Sequence, residues 1–593
     1  MLVYFEAHSY PEELLLPYFK EKKKEEGERD SYSIPLKHET DGWQVNYIGY
    51  LFITGEKHSG PVFILPKTFL APCKKDGKET LLGMPGLYPE NIFNTESDDN
   101  ILSLSGRDTF LPELSLWLFR AMMRFREDCK KENDENSLEK LLQLTPEDSS
   151  RDRDFLSTAV QLMDYLSDHR NLFTKIHNIN NSGRAAVDWS RTLHKHPFVN
   201  NGKPYYLNLQ TKDNVLNIDE ELIIIYYSVL KYLKDKFHFP ISLGEVPYDL
   251  KTPSEIQRYL DTGVGKRKMR DIKGKYFRDD LKTLWILLDA FFTASYSRDD
   301  KAPIREALVV TNFEAVFEKM VDHLIGDSDK LEKLKNQKDG KLIDHIYLDR
   351  SLIGRDTNIY YIGDSKYYKT DSSLEGVPLY KQFTYARNAI QFNIDQYYIK
   401  HRANPNAIRY RDKETEGYNI TPNFFIRPKI ESDNLDFDTP SFSPTDSLPK
   451  PNKHFEDRLF DRDTLLLREY SINLIFLIAA YGSYEDHWAT ILRREIREDM
   501  VKFLNETYSF FTIEPMDIPL YSQNGQVASF PFMRYFHSIL AGKAYKESED
   551  SKEIILAFEK NTAQGKADYT EVRDEIRNAI RSGSIDEPKE LKP

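Results

Sequence analysis

The run Ile359-Tyr360-Tyr361-Ile362-Gly363-Asp364-Ser365-Lys366 ends an apolar stretch with a carboxylate and an amine two residues apart. Side chains alternate along a strand, so Asp364 and Lys366 share a face, about 6.6 Å apart along it. That pair suits phosphodiester hydrolysis. A metal activates water, carboxylates hold the metal, and a cation orients the nucleophile or steadies the developing charge. Mg²⁺ takes oxygen ligands in near-octahedral geometry, with Mn²⁺ as a substitute. Two carboxylates and a backbone carbonyl suit it, and Ser365, on the opposite face, offers its carbonyl. Gly363 leaves room for close approach of substrate or backbone. A bare Asp-x-Lys is common on solvated hairpins. Here it ends a strongly apolar strand, follows an acid-bearing strand and sits between two helix-like segments.

The second carboxylate should come from the preceding strand, where Asp344 and Asp349 are the candidates. If the connection is the four residues Arg355-Asp356-Thr357-Asn358, Asp349 lies opposite Asp364. Asp344 has the other parity and reaches that face only through an odd-length turn or a bulge, yet it continues the Ile346/Leu348 face. Both remain open. Glu314 and Glu318, four apart on an upstream helix, share a face and could add a carboxylate. Lys381 and Gln382 open a downstream helix and could contact phosphate or the attacking water.

The elements that must position these residues follow a pattern of helix, strand, turn, strand, helix from about 305 to 400. EALVVTNFEAVFEKMVDHLIG (306–326) is read as the first helix and PLYKQFTYARNAIQFNIDQYYIK (378–400) as the second. Upstream, residues 1 to about 125 read as mixed strands and loops. The charged segment 128–154 reads as a linker or exposed helix, and 155–173, 221–237 and 281–294 as helices. The expected division is 1–175, a mixed β/α region for DNA recognition or partner contact, then 176–284, an intermediate region, 285–545, the catalytic domain, and 546–593, a charged helix and tail. The fold class is α/β: a mixed sheet flanked by helices, preceded by a β-rich region and a helical middle segment. No internal repeat is present.

With 593 residues the chain needs several cores. Its net charge of 82 − 95 = −13 argues against a surface that binds nucleic acid everywhere, but allows a local basic groove. The strongest basic cluster is Lys266, Arg267, Lys268, Arg270, Lys273, Lys275 and Arg278, read either as a track for DNA phosphates or as a solvated loop before a helix. Val264-Gly265-Lys266-Arg267 lacks the spacing and the Ser/Thr of a phosphate loop, so no nucleotide is expected on this chain. Two cysteines, Cys73 and Cys129, without metal-type spacing fit a reducing cytoplasm. The N-terminal run lacks a basic region and a long apolar core, and the apolar stretch 472–480 is too short to span a bilayer. A soluble cytoplasmic protein is expected. His194 and His196, two apart, are read as solvent-exposed histidines rather than metal ligands. Trp189 is read as a core plug, and the pairs Tyr205-Tyr206 and Tyr360-Tyr361 as sheet packing.

Taken in order, a helix with Glu, an acidic strand, a hairpin, an Asp-x-Lys strand and a helix with Gln resemble the PD-(D/E)xK nuclease core. More closely, TNFEAVFEKMVDHLIG (311–326), IDHIY (343–347), IYYIGDSKYYK (359–369), YKQFTYARN (380–388), ETEGYNITPNFFIR (414–427) and SGRAAVDWSRTL (182–193) resemble the LlaJI-type restriction endonuclease subunit of the McrC-like family. The resemblance spans roughly 180 to 540. It implies a DNA endonuclease subunit of an anti-phage restriction system, acting on double-stranded DNA with an McrB-like AAA+ GTPase, and self-association where both strands are cut. It places Asp364 and Lys366 on the motif positions. Asp344 falls in the family-like IDHIY segment, whereas Asp349 fits the usual hairpin spacing, with Leu348 where many such nucleases have Pro. The competing expectations are a stand-alone nuclease of repair or defence, and a non-catalytic DNA-binding scaffold.

Overall fold

The computed structural model describes residues 1–19, 36–54, 59–92, 110–144, 154–169, 172, 175–181, 186–217, 220–296, 304–327, 331, 334–335, 343–354, 358–368, 377–398, 410–430, 435–445, 457–483, 487–515, 538–547, 551–577, 580–583 and 588–592. The class is mixed α/β, as expected.

The first sheet has the order β1-β3-β2-β5-β4, with β1 (Leu2–Phe5), β2 (Ile48–Thr54), β3 (Ser59–Leu65), β4 (Leu141–Leu144) and β5 (Ile304–Val310). Only β1 and β3 are parallel; the other neighbours are antiparallel. β5 corrects the sequence reading, which ran a helix back to Glu306. Ile304, Val309 and Val310 are β-branched and favour the pleat, and Thr311-Asn312 breaks the chain before α7 (Phe313–Ile325). The Asn312 side chain caps α7 by accepting from the Glu314 N–H. β5 follows the helical middle segment yet completes the N-terminal sheet. Buried Glu306 fastens it there, accepting from the Tyr50 hydroxyl at 3.1 Å and from the Phe155 N–H at 3.0 Å. β4 also lies inside the charged segment expected as a linker, of which residues 145–153 fall outside the described residues.

A long helix, α1 (Phe110–Glu132), also emerges where strands and loops were expected. The helical middle segment comprises α2 (Phe155–Asp168), α3 (Glu221–Phe237), α4 (Pro253–Thr262), α5 (Val264–Ile272) and α6 (Asp279–Tyr296). The basic cluster thus begins on a helix, not a loop. Between α2 and α3 lies a small antiparallel sheet of Lys175–Asn180, Thr211–Leu216 and Ala186–Val187. Beside it the hairpin Phe198–Asn200/Lys203–Tyr205 turns through Asn201-Gly202, both with positive φ. Trp189, expected in a core, is 58% exposed in this region, while its short helix buries Thr192 instead. Tyr205 is exposed too, so it does not pack in a sheet core. His194 and His196 are exposed.

The second sheet has the order β6-β7-β8-β10-β9, with β6 (His345–Arg350), β7 (Asn358–Ser365), β8 (Thr421–Lys429), β9 (Phe442–Pro444) and β10 (Leu465–Asn473). β6/β7 and β9/β10 are antiparallel, while β7/β8 and β8/β10 are parallel. The parallel strands are buried on both faces, which explains apolar runs such as Phe424-Phe425-Ile426. α7, α8 (Val377–Tyr398), α9 (Leu474–Gly482) and α10 (Trp488–Thr507) accompany this sheet. α9 is buried throughout and takes up the apolar stretch noted in the sequence. Among the described residues no helix is long and apolar enough to cross a membrane. The Arg124 guanidinium on α1 donates to the Tyr481 carbonyl at the end of α9, joining the two halves. In the C-terminal segment, expected as helix and tail, Ile554–Glu559 forms a strand paired with Tyr508–Pro515, backed by the helix Ala563–Ile576.

Candidate active site

β6 and β7 pair His345 with Gly363 and Arg350 with Asn358. Asp344, just before β6, therefore comes beside Asp364, at the end of the hairpin away from its turn. Asp349 lies opposite Ile359, half-buried, and its carboxylate accepts from the Arg350 N–H at 2.7 Å. The four-residue turn that would have placed Asp349 against Asp364 does not form. The strands part at Ser351, so residues 351–357, an odd number, make the connection. The cause is burial. Ser351, Leu352 and Ile353 turn into the core, the Ser351 hydroxyl donates to Asn419 Oδ1 at 3.0 Å, and the Ser351 carbonyl accepts from Arg497. Residues 355–357 lie outside the described residues.

At the shared end, the Ser365 N–H donates to Asp344 Oδ2 at 3.1 Å, and the Lys366 ammonium is ion-paired with Asp364. Asp364 is 5% exposed, so this charge has little water around it. Burial pushes Asp344 well above the ordinary carboxylate range, with the neighbouring Asp364 and Glu318 adding to the effect. Glu318 is pushed up to about 7 by burial and by the Glu314 and Asp364 carboxylates. Burial works to lower Lys366, but Asp364, Asp344 and Glu314 outweigh it and hold the ammonium charged. The α7 glutamates expected on one face thus both act on the cluster.

Gln382 does not reach the open end. It is buried, and its amide donates to the Ile362 carbonyl at 2.9 Å and to Asn423 Oδ1 at 3.1 Å, tying α8 to β7 and β8. Lys381 is exposed one residue earlier. Gly363 serves the neighbouring strand: a Cβ there would lie 2.3 Å from the Phe424 ring.

Three residues escaped the sequence reading. Burial raises the phenol of Tyr385 on α8, and the negative charge of Asp344 and Asp364 adds to it; its spacing of three from Gln382 was the available signal. Behind Ser365, His345 Nε2 lies 2.6 Å from the Ser365 hydroxyl and Nδ1 lies 3.4 Å from Asp322 Oδ1, and burial pushes the imidazole's pKa down. Asp322 is ion-paired with Lys335. Ser365 and His345 are fully buried, so this row cannot meet a substrate; it fixes the strand that carries Asp364. Asp322 continues the Glu314/Glu318 spacing by another four residues.

Tyr367, next after Lys366, donates to Glu6 Oε2 at 2.7 Å and packs edge-on against Phe313. The chain just after β1 therefore touches the chain just after β7, next to the candidate lysine. The basic cluster stands elsewhere, on α5 and the chain after it.

Among the described residues no three carboxylate, imidazole or thiol side chains form a ready metal cage. The oxygen donors at this end of the hairpin are the Asp344 and Asp364 carboxylates and the Ser365 carbonyl. Mg²⁺ usually binds through one or two carboxylates and keeps waters and substrate phosphates as its other ligands. Asp344, Asp364 and the Ser365 carbonyl meet that description.

No family model matches the chain, and no curated protein matches it. Among solved structures it is similar to a chain in a refined half-complex from the tetradecameric assembly of Thermococcus gammatolerans McrB AAA+ hexamers with bound McrC. The identity is 11% and the TM-score 0.26, over 84% of this chain and 99% of that one. A likeness at that TM-score decides nothing about chemistry.

Proposed function

We propose that this chain is a magnesium-dependent DNA endonuclease, the cutting subunit of an anti-phage restriction system that works with an McrB-like AAA+ GTPase. The observation that supports it is the meeting of Asp344, Asp364 and Lys366 at one end of a hairpin, with Glu314 and Glu318 beside them. Asp344, Asp364 and the Ser365 carbonyl would hold the metal, which when bound polarises the phosphate and lowers the pKa of water. Lys366, kept charged, neutralises charge developing on the phosphoryl oxygens or orients the water. Glu318, near neutrality, is the carboxyl best able to take up or release a proton. Gln382 and His345 hold the strand that carries Asp364 and Ser365. The motor partner rests on the sequence resemblance in residues 182–193 and 311–427.

The test is plasmid cleavage with Mg²⁺ by wild type and Lys366→Ala, each with and without the cognate GTPase and GTP. Cutting by wild type only with the motor supports the full reading. Cutting without it makes the protein a stand-alone nuclease. Equal cutting by Lys366→Ala removes the site.

A further inference from the structure

The seven basic residues after Gly263 divide into two groups. Lys268 and Lys275 are ion-paired with Glu221, and Arg278 with Asp280. Lys266, Arg267, Arg270 and Lys273 carry no ion pair with a carboxylate among the described residues; Lys273 lies over the Trp285 ring at 5.6 Å. These four follow helical spacing: Lys266 to Arg270 is i,i+4, and Arg267, Arg270 and Lys273 are each three apart. Arg267, Arg270 and Lys273 are exposed and Lys266 half-buried. α5 thus turns Lys268 toward α3 and Arg267 and Arg270 toward solvent, with Lys266 half-buried beside them and Lys273 exposed at its C-terminal cap.

The hairpin that presents this face is rigidly made. α4 ends and α5 begins at one residue, Gly263, whose φ of +67° a side chain would strain. Gly265, in the first turn of α5, has no room for a side chain, since a Cβ would lie 2.2 Å from the Phe292 ring of α6. The Trp285 indole N–H donates to the Met269 carbonyl at 2.8 Å and locks α6 along α5. The start of α5 also has no side-chain cap, which adds partial positive charge beside Lys266 and Arg267.

In a chain of net charge −13, four unpaired cations on one braced helix face call for a polyanion. Arg267 and Lys273 stand about 9 Å apart along the axis at 1.5 Å per residue, matching two or three phosphates of one DNA strand at ~3.4 Å of rise each. We infer that the α4–Gly263–α5 hairpin grips the backbone of duplex DNA, independent of base sequence, through Lys266, Arg267, Arg270 and Lys273. This inference rests on the nuclease reading for the identity of the polyanion. Phosphate contacts of this kind hold register and leave sequence choice to other residues.

The experiment measures binding of the full chain to a random-sequence duplex in EDTA, across a salt series. Two quadruple variants are compared with wild type: one with alanine at all four positions, and one exchanging Lys for Arg and Arg for Lys. The alanine variant should bind at least about tenfold more weakly, with its log K against log salt slope reduced by about 3. The exchange variant should keep the wild-type slope, showing that charge and not folding is responsible. Wild-type affinity and slope in the alanine variant overturn the inference. If that variant instead loses binding to polyglutamate, the face belongs to an acidic protein. Failure of wild type itself to bind DNA counts against the nuclease reading as well, a separate result from equal binding by both.

Discussion

At the end of the β6–β7 hairpin, four carboxyl groups and one amine crowd into a half-buried space. Along the outer face of α5 and its C-terminal cap, Arg267, Arg270 and Lys273 stand in water with Lys266 half-buried beside them. Both places concentrate charge, but at different energetic expense. Beside Asp364 the dielectric is low, and burial together with carboxylate repulsion pushes Asp344 and Glu318 above the ordinary carboxylate range. On α5 the solvent screens each charge within about 10 Å, so assembling the patch costs folding little. A folded protein keeps a buried acidic cluster where a cation will offset it, and an exposed basic row where the partner arrives from outside. The first should therefore govern rate and pH response, and the second affinity and salt response.

The largest expected effect would break this comparison at once if absent. Asp364→Asn and Lys366→Ala should each slow plasmid cleavage by about 10³-fold, with circular dichroism unchanged. Next, Asp344→Asn should match Asp364→Asn in cleavage rate, while Asp349→Asn stays within about twofold of wild type, as expected of a substitution away from the site. Reversal of that order would restore the shorter turn.

A third prediction concerns pH. Glu318 is raised to about 7 from 4.5, so the folded state binds more protons than the unfolded chain between those values. The stability this gives is complete below pH 4.5 and is lost as pH rises through 7. Without metal, the thermal midpoint of wild type should fall over that window more than that of Glu318→Gln, and Mg²⁺ should raise it more at pH 8 than at pH 5. Parallel curves for the two proteins would remove Glu318 from the cluster. Smaller still, Gly265→Ala should destabilise the protein by about 1–3 kcal/mol through its clash with Phe292. Smallest, removing the exposed α5 charges should change stability by no more than about 0.5 kcal/mol in urea titrations. A larger loss would mean that these cations are structural after all.

Local features were legible: an Asp-x-Lys strand and two glutamates four apart at the candidate site, and away from it α3 at its observed limits. What escaped was set by distant partners. Leu352 and Ile353 continue an apolar pattern that reads as strand, and only the core they enter, with Arg497 behind it, makes them leave the ladder. β5 read as helix because the apolar periodicity of α7 extends back over Val309-Val310, while the strands that claim it lie far away in sequence. Gln382 was legible as a polar residue near the site, but its role as a clamp depends on Ile362 and Asn423 lying beneath it.

That remote pairing also sets a schedule. Tyr50 and Glu306, joined by a hydrogen bond, lie 256 residues apart. At a synthesis rate of about 5–20 residues per second, β2 waits roughly 13–50 s on the ribosome before β5 exists. Through that interval one edge of β2 has no strand beside it, an open template for wrong pairing. The N-terminal sheet cannot close until β5 emerges, and its safe assembly depends on what shelters that edge in the meantime.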